Sequence, residues 1–290
     1  CLPGTDPEAY IKATNPDIIG YDKYPIFVND GRKVTVDDPQ GSFDNSSFLV
    51  ALAQFRKAAL KYHKPFIVTI LATGHYYAYK VKDKEYRRDY GKITEAKLRW
   101  QAYSSLAYNV DGIAWYKYFT SYNQDGCDPS AIGLDMKPTQ NYYWLKTLNN
   151  EVFHIAKILK QLKSEEVYET KPVYFWKDEQ EKEVTLFPAD DIIKKVDNAL
   201  TTVSKFTGKS RDVYLIIVNR DIQKRVSAGL DMKWNEIKNI ELYDRKSFTW
   251  GKTIWQHGDK AGLTLELAPG DGEFLKINLL EKTSTGTNNK

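Results

Sequence analysis

Three short apolar runs mark the first half of the chain, and each gives way to a stretch with helical period. The first covers 17–21 and passes through Asp22 to a stop at Tyr24-Pro25. The second is Phe66 to Ala72, apolar almost throughout, as expected of a parallel strand buried on both faces. The third is Gly112 to Tyr118. A short helix opens at Asp6-Pro7, with the aspartate at N-cap and the proline at N1. Asp44-Asn45-Ser46-Ser47 precedes a helix that keeps Phe48, Leu52, Phe55, Ala59 and Leu60 on one face. Thr94 caps a helix running to about Tyr108, with Leu98, Gln101, Ala102, Ser105 and Leu106 in register. Thr139 caps the last helix, where Leu145, Leu148, Val152, Ile155, Leu159 and Leu162 alternate at three and four residues, ending between Gln161 and Ser164. Segments 73–92 and 120–137 are predicted to be long loops.

Beyond Ser164 the period changes to two. Strands are predicted at Val167–Thr170, Val173–Trp176, Thr202–Phe206, Val213–Val218, Arg225–Leu230, Ile237–Tyr243, Leu263–Leu267 and Glu273–Ile277. Their close, regular spacing predicts an antiparallel β-sandwich. Three strand–helix units followed by an all-β tail give an α/β-then-all-β fold, the C-terminal part of a (β/α)8 TIM barrel and a β-sandwich domain. The expected boundaries are 1–163 for the barrel part (strands about 5/6 to 8), 164–280 for the sandwich, and 281–290 for a disordered tail. Such barrels carry their chemistry at the C-terminal ends of the strands.

Composition narrows the function classes. The 290 residues carry 42 Lys and Arg against 38 Asp and Glu, a net charge of +4, with no basic stripe of the nucleic-acid kind. No run of 18 apolar residues is present, so no membrane span is expected. Two cysteines, Cys1 and Cys127, without a CxxC or Cys/His cluster, give no zinc site; a disulfide between them is compatible with the barrel layout but has no positive support. Cys1 fits the end of a strand better than a lipid-anchored N-terminus. Aromatics reach 13%, including 20 Tyr and 7 Trp, side chains that stack on sugars or fill cores.

Several segments resemble bacterial glycoside hydrolases of the family 42-like, clan A type. They are Pro16-Asp17 through Asp22 to Tyr24-Pro25, Lys64-Pro65-Phe66, Leu98-Arg99-Trp100-Gln101-Ala102-Tyr103, and Leu106-Ala107-Tyr108 with Gly112-Ile113. Asn150-Glu151-Val152 and Leu267-Ala268-Pro269-Gly270-Asp271-Gly272 complete the set. The resemblance implies strands six, seven and eight of a barrel, with the earlier strands and an acid/base carboxylate upstream of Cys1. It further implies a carbohydrate substrate, polysaccharide degradation, and a secreted, periplasmic or cell-surface location in a bacterium. At the position where such enzymes carry a nucleophilic glutamate, this chain reads Thr69-Ile70-Leu71-Ala72-Thr73-Gly74-His75, with no carboxylate.

Asp22 and His75 are the candidate catalytic residues. Asp22 stands at a strand's mouth end, fit to bond a sugar hydroxyl or act as base or nucleophile, or else to fix the Tyr24-Pro25 turn. His75 could donate to a glycosidic oxygen or a ring hydroxyl, or serve packing. Tyr24, Tyr76, Trp115, Tyr116 and Tyr118 are the candidate substrate-binding aromatics, although one parity of 115–118 must face the helix layer. Asp125 and Asp128 either rim the site or are solvated. No cofactor is expected. The alternatives are a glycan-binding barrel without turnover, and a half-barrel completed by a complementary half or a second copy, since open strand edges are normally paired.

Overall fold

The computed structural model describes residues 6–25, 45–81, 84–121, 129–171, 173–174, 181–182, 187–188, 191–197 and 200–281. The readings of Cys1, Cys127, Asp125, Asp128 and the tail 282–290 lie outside these residues. The described residues are mostly β-sheet with four α-helices. Helix α1 (Pro7–Thr14) begins where the Asp6 carboxylate accepts the Glu8 amide at 2.9 Å. There follow β1 (Ile19–Asp22), α2 (Asn45–Tyr62), β2 (Phe66–Leu71), β3 (Tyr76–Val81), β4 (Lys84–Asp89), α3 (Glu95–Ala107), β5 (Gly112–Tyr116) and α4 (Gln140–Leu159).

The three apolar runs are neighbours in one sheet, ordered β1-β2-β5, and both pairings are parallel. Their alternation decides where the helices sit. Ile19, Tyr21, Phe66, Val68 and Ile70 point into a core shared with Phe48, Leu52 and Phe55 of α2 and with Leu98, Ala102 and Leu106 of α3. Tyr21 and Phe66 both lie against Phe55, at ring separations of 4.3 and 5.4 Å. The opposite face carries Gly20, Asp22, Ile67, Thr69, Gly112 and Ala114, and it is open, with Ile67 36% exposed. The expectation that Phe66 to Ala72 is buried on both faces is therefore corrected. Among the described residues, helices cover one side of this sheet, and the other side carries small or polar residues in the alternate positions.

Three further boundaries differ from the sequence reading. The segment 73–92 contains an antiparallel hairpin, β3 with β4, because two residues suffice to join Val81 to Lys84. Its Tyr- and charge-rich composition hides the strands. Thr139 occupies the N-cap position of α4, but its hydroxyl donates to the carbonyls of Ser130 at 2.6 Å and Ala131 at 3.2 Å instead of capping. That helix stops at Leu159, earlier than expected, since Lys163 already begins the next strand.

The remainder comprises β6 (Lys163–Glu169), β7 (Val173–Tyr174), β8 (Glu181–Lys182), β9 (Ile193–Asp197), β10 (Thr201–Thr207), β11 (Val213–Asn219), β12 (Val226–Met232), β13 (Ile237–Asp244), β14 (Thr249–Gln256), β15 (Leu263–Leu267) and β16 (Gly272–Leu279). One antiparallel sheet runs β14-β13-β16-β11-β10-β6 and a second runs β15-β12-β9. The larger sheet is buried on two sides. Leu215, Ile217 and Ile277 share a core with Leu230, Met232 and Leu265 of the smaller sheet. Ile216, Val218, Phe206 and Phe274 face the helical part. This is why β11 reads as an unbroken apolar run.

Three of the resemblance segments, those holding Arg99 to Tyr103, Glu151 and Asp271, meet at the contact between α3, α4 and the β domain. Arg99 pairs with Glu151 at 2.7 Å and with Asp271 at 2.8 Å. The Tyr103 hydroxyl donates to Glu151 at 3.0 Å. Arg245 bonds Asp271 at 2.7 Å and Glu273 at 3.1 Å. Gln101 brackets the end of β2, its amide both accepting from and donating to Leu71 at 2.9 Å. Burial raises the Asp271 carboxyl, but Arg99 and Arg245 outweigh it and hold it below the ordinary range.

Glu273 goes the other way. Burial outweighs Arg245, and with Asp271 and Glu151 nearby its carboxyl is pushed up to about 7. The folded protein thus holds a proton at Glu273 that the unfolded chain releases near 4.5. The contribution of Glu273 to stability therefore falls as pH rises from there through about 7, and levels off above. In Glu273→Gln, urea titrations at pH 5, 6, 7 and 8 are expected to lose this decline; an unchanged decline would assign it to another group.

Candidate active site

Asp22 is the last residue of β1 and lies exposed at the C-terminal end of the parallel sheet, in register with Thr69 of β2. Two residues on, the Tyr24 hydroxyl lies near the Asp22 carboxylate. Burial, with the Asp22 charge next to it, raises the Tyr24 hydroxyl above its ordinary value and keeps it a donor. His75 follows β2, 7% exposed, with Nδ1 3.5 Å from the Thr73 carbonyl. Tyr116 closes β5.

These side chains meet. Tyr24 stacks on Tyr116 at 5.1 Å and meets His75 edge-on at 6.0 Å. His75 lies 5.5 Å from Tyr116 and stacks on Tyr90 at 4.5 Å. Tyr24 also meets the Tyr90 ring edge-on at 5.6 Å. The result is a wall of four aromatic rings at the mouth of the sheet, with one carboxylate on its rim. Below it, Asn141 of α4 donates to the Ala72 carbonyl at 3.2 Å, and the Ala72 amide bonds the Tyr116 carbonyl at 2.6 Å, which fixes the strand ends.

Asp22, Tyr24, His75 and Tyr116 are thus brought together. Trp115 has the opposite parity to Tyr116 and points to the helix layer, where its indole donates to Asn149 of α4 at 2.8 Å. Tyr118, 53% exposed, packs edge-on against Phe119 at 4.7 Å. Trp115 and Tyr118 line a separate groove of about 1020 Å³ along α4, bounded also by Tyr143, Phe153 and Arg245. Tyr76 opens β3 opposite Asp89, and its side chain lies outside the described ones. Tyr90 was missed: it sits just past the hairpin that the sequence hid, and no local pattern separates it from the other tyrosines of 76–90.

The arrangement can position a hydroxylated ligand. The carboxylate accepts hydroxyl hydrogens, the rings offer apolar faces, and His75 supplies a nitrogen able to donate or accept. Among the described residues, no group of three or more His, Cys, Asp or Glu is placed to hold a metal ion. No helix among them is long and apolar enough to cross a membrane.

No protein-family model matches the chain, and no curated protein matches it either. Among solved structures it is similar to glycoside hydrolases. A γ-CGTase from alkalophilic Bacillus clarkii shares 13% identity at a TM-score of 0.40, over 81% of this chain and 29% of that one. A GH27 β-L-arabinopyranosidase from Geobacillus stearothermophilus shares 9% at 0.35, over 96% of this chain and 60% of that one. CelM2, a bifunctional glucanase-xylanase from a metagenome library, shares 9% at 0.34, over 94% and 46%. The chain spans less than two thirds of each of these proteins. At such scores the likeness carries no argument, and the functional case rests on the residues.

Proposed function

We propose that this chain is the C-terminal part of a (β/α)8-barrel glycoside hydrolase, with residues 1–163 in the barrel and 164–280 in a β-sandwich domain. The observation that carries the reading is the Asp22 carboxylate at the strand-end rim, next to the wall formed by the Tyr24, His75, Tyr90 and Tyr116 rings. Parallel strands followed by helices on one face, and the sequence resemblance, support the barrel. In this reading Asp22 is the carboxylate that activates water or holds a sugar hydroxyl as positive charge develops at the anomeric carbon. The aromatic wall seats the sugar ring, and His75 bonds a hydroxyl. Glycoside hydrolysis uses two carboxyl groups about 5–10 Å apart. The second, a proton donor, comes from outside these 290 residues, across the open face of the sheet.

Turnover of an aryl-glycoside panel by the full-length protein and by its Asp22→Asn variant tests this. The variant is expected to lose about a hundredfold or more in kcat, as removal of a general acid–base group does. Unchanged rates remove Asp22 from catalysis. Glycan binding with no product from the unaltered full-length protein replaces the reading with a binding protein.

A further inference from the structure

We propose that the larger antiparallel sheet carries a second binding site, a polar trough across β11, β16, β13 and β14 that takes a neutral oligosaccharide. The trough shares no residue with the strand-end rim, and the inference goes beyond the proposed function without depending on it.

Successive rows of side chains across the sheet define the trough. The first row, Ile216, Phe274, Tyr243 and Trp250, packs against the helical part. One step along the strands, the same face carries Tyr214, Lys276, Glu241 and Thr253, which lie in register across the four strands. The third row holds Asn278, Asn239 and Gln256. Ile216 and Phe274 are buried, whereas Lys276, Glu241, Asn278 and Asn239 are half-buried. A groove of about 790 Å³ follows the two polar rows. Tyr214 stands at its inner edge, where the charges of Lys276, Asp212 and Glu241 all act on the hydroxyl. Trp250 lies 5.8 Å from the Tyr214 ring and gives that edge an aromatic end.

The lining selects the occupant. Lys238 and Lys276 are matched by Asp212 and Glu241, so the groove has no net charge. A nucleic-acid backbone needs a surplus of cations. Leu279 is the only apolar residue lining the groove, whereas protein partners dock on a buried apolar or aromatic centre. What the groove supplies is side chains that both donate and accept, the amides of Asn239, Gln256 and Asn278 and the Thr253 hydroxyl.

These groups are partly fixed and partly open. Asn278 donates to one oxygen of Glu241 at 3.1 Å, and Lys276 pairs with one oxygen of Asp212 at 3.5 Å. The second oxygen of each carboxylate is left to accept a ligand hydroxyl. The side chains of Asn239, Thr253 and Gln256 bond no other described residue. Donors and acceptors in balance, without net charge, match an uncharged ligand rich in hydroxyls. Neighbouring strands lie about 4.8 Å apart, close to the length of one sugar unit. A glycan lying across the four strands therefore presents about one unit to each.

The test titrates oligosaccharides of two, four and six units from β-1,4-glucan, β-1,4-xylan and α-1,4-glucan into full-length Asp22→Asn, in which the proposed hydrolysis is suppressed. Calorimetry is expected to show at least one series binding at about 1 mM or tighter, strengthening from two units to four and level from four to six. Asn239→Ala combined with Gln256→Ala removes no side-chain bond within the fold. With its circular dichroism spectrum unchanged, this variant is expected to weaken binding about tenfold. An oligogalacturonide of four units is expected to bind no more tightly than the neutral chains. No binding in any series, binding undiminished in the double variant, no dependence on length, or tighter binding of the acidic chain each overturns the proposal. Binding kept by the double variant but lost in Tyr116→Ala places the sugar at the strand-end rim, which supports the proposed function and overturns this site. Binding is read without turnover, so loss of the hydrolase reading leaves the result standing.

Discussion

Arg99→Met is expected to destabilise the protein by about 3–5 kcal/mol, the cost of breaking a buried ion pair by removing one partner. Arg99 is the hub of the contact between the helices and the larger sheet, reaching Glu151 at 2.7 Å and Asp271 at 2.8 Å with its side chain 12% exposed. Methionine keeps much of the volume but leaves two carboxylates with one guanidinium, Arg245, between them, and Arg245 stands 4.0 Å from Glu151. The stranded charge, more than any lost attraction, is the dominant cost. Urea denaturation monitored by tryptophan fluorescence measures it. A midpoint shift equivalent to less than about 1 kcal/mol would place the cluster in the class of solvated surface pairs.

Gly270→Ala is expected to cost about 3 kcal/mol, by two separate routes. Gly270 has φ +65°, in the left-handed region that L-residues enter at a cost of about 1–2 kcal/mol. A methyl group there would also collide with the Ala96 carbonyl oxygen, part of the α3 backbone and unable to rotate aside. Gly272 is held by a side chain instead, since a methyl there strikes the Tyr103 ring. Gly272→Ala should therefore also destabilise, and the difference between the variants reports the backbone component. Thermal unfolding of both, beside Gly258→Ala as a positive-φ control with open space around it, separates strain from collision.

These two predictions concern residues whose chemistry could not be read along the chain. The parallel order of β1, β2 and β5 was legible because each run is short, apolar and followed by helical period. The place of Asp22 and Tyr24 at the end of the sheet was legible for the same reason: a polar residue ending such a run has few places to go. The partnership of Arg99 with Asp271 spans 172 positions, and no local pattern encodes it. Strand β14 escaped because just one of its eight residues, Trp255, is buried, so it lacks period two. Strand β9 escaped because two consecutive lysines separate Ile193 from Val196. The parity that sends Trp115 to α4 and Tyr116 to the aromatic wall needed the register with β2.

The middle position of the six-stranded sheet has a practical result for anyone dissecting this protein. A cut near residue 163, where the sequence changes period, would strip the helices from Phe206, Ile216, Val218 and Phe274 and wet them all at once. The released β fragment would carry a greasy plate in place of a finished surface, and aggregation is its expected fate. The two halves of the sequence thus share one core across this sheet, however plainly their patterns differ.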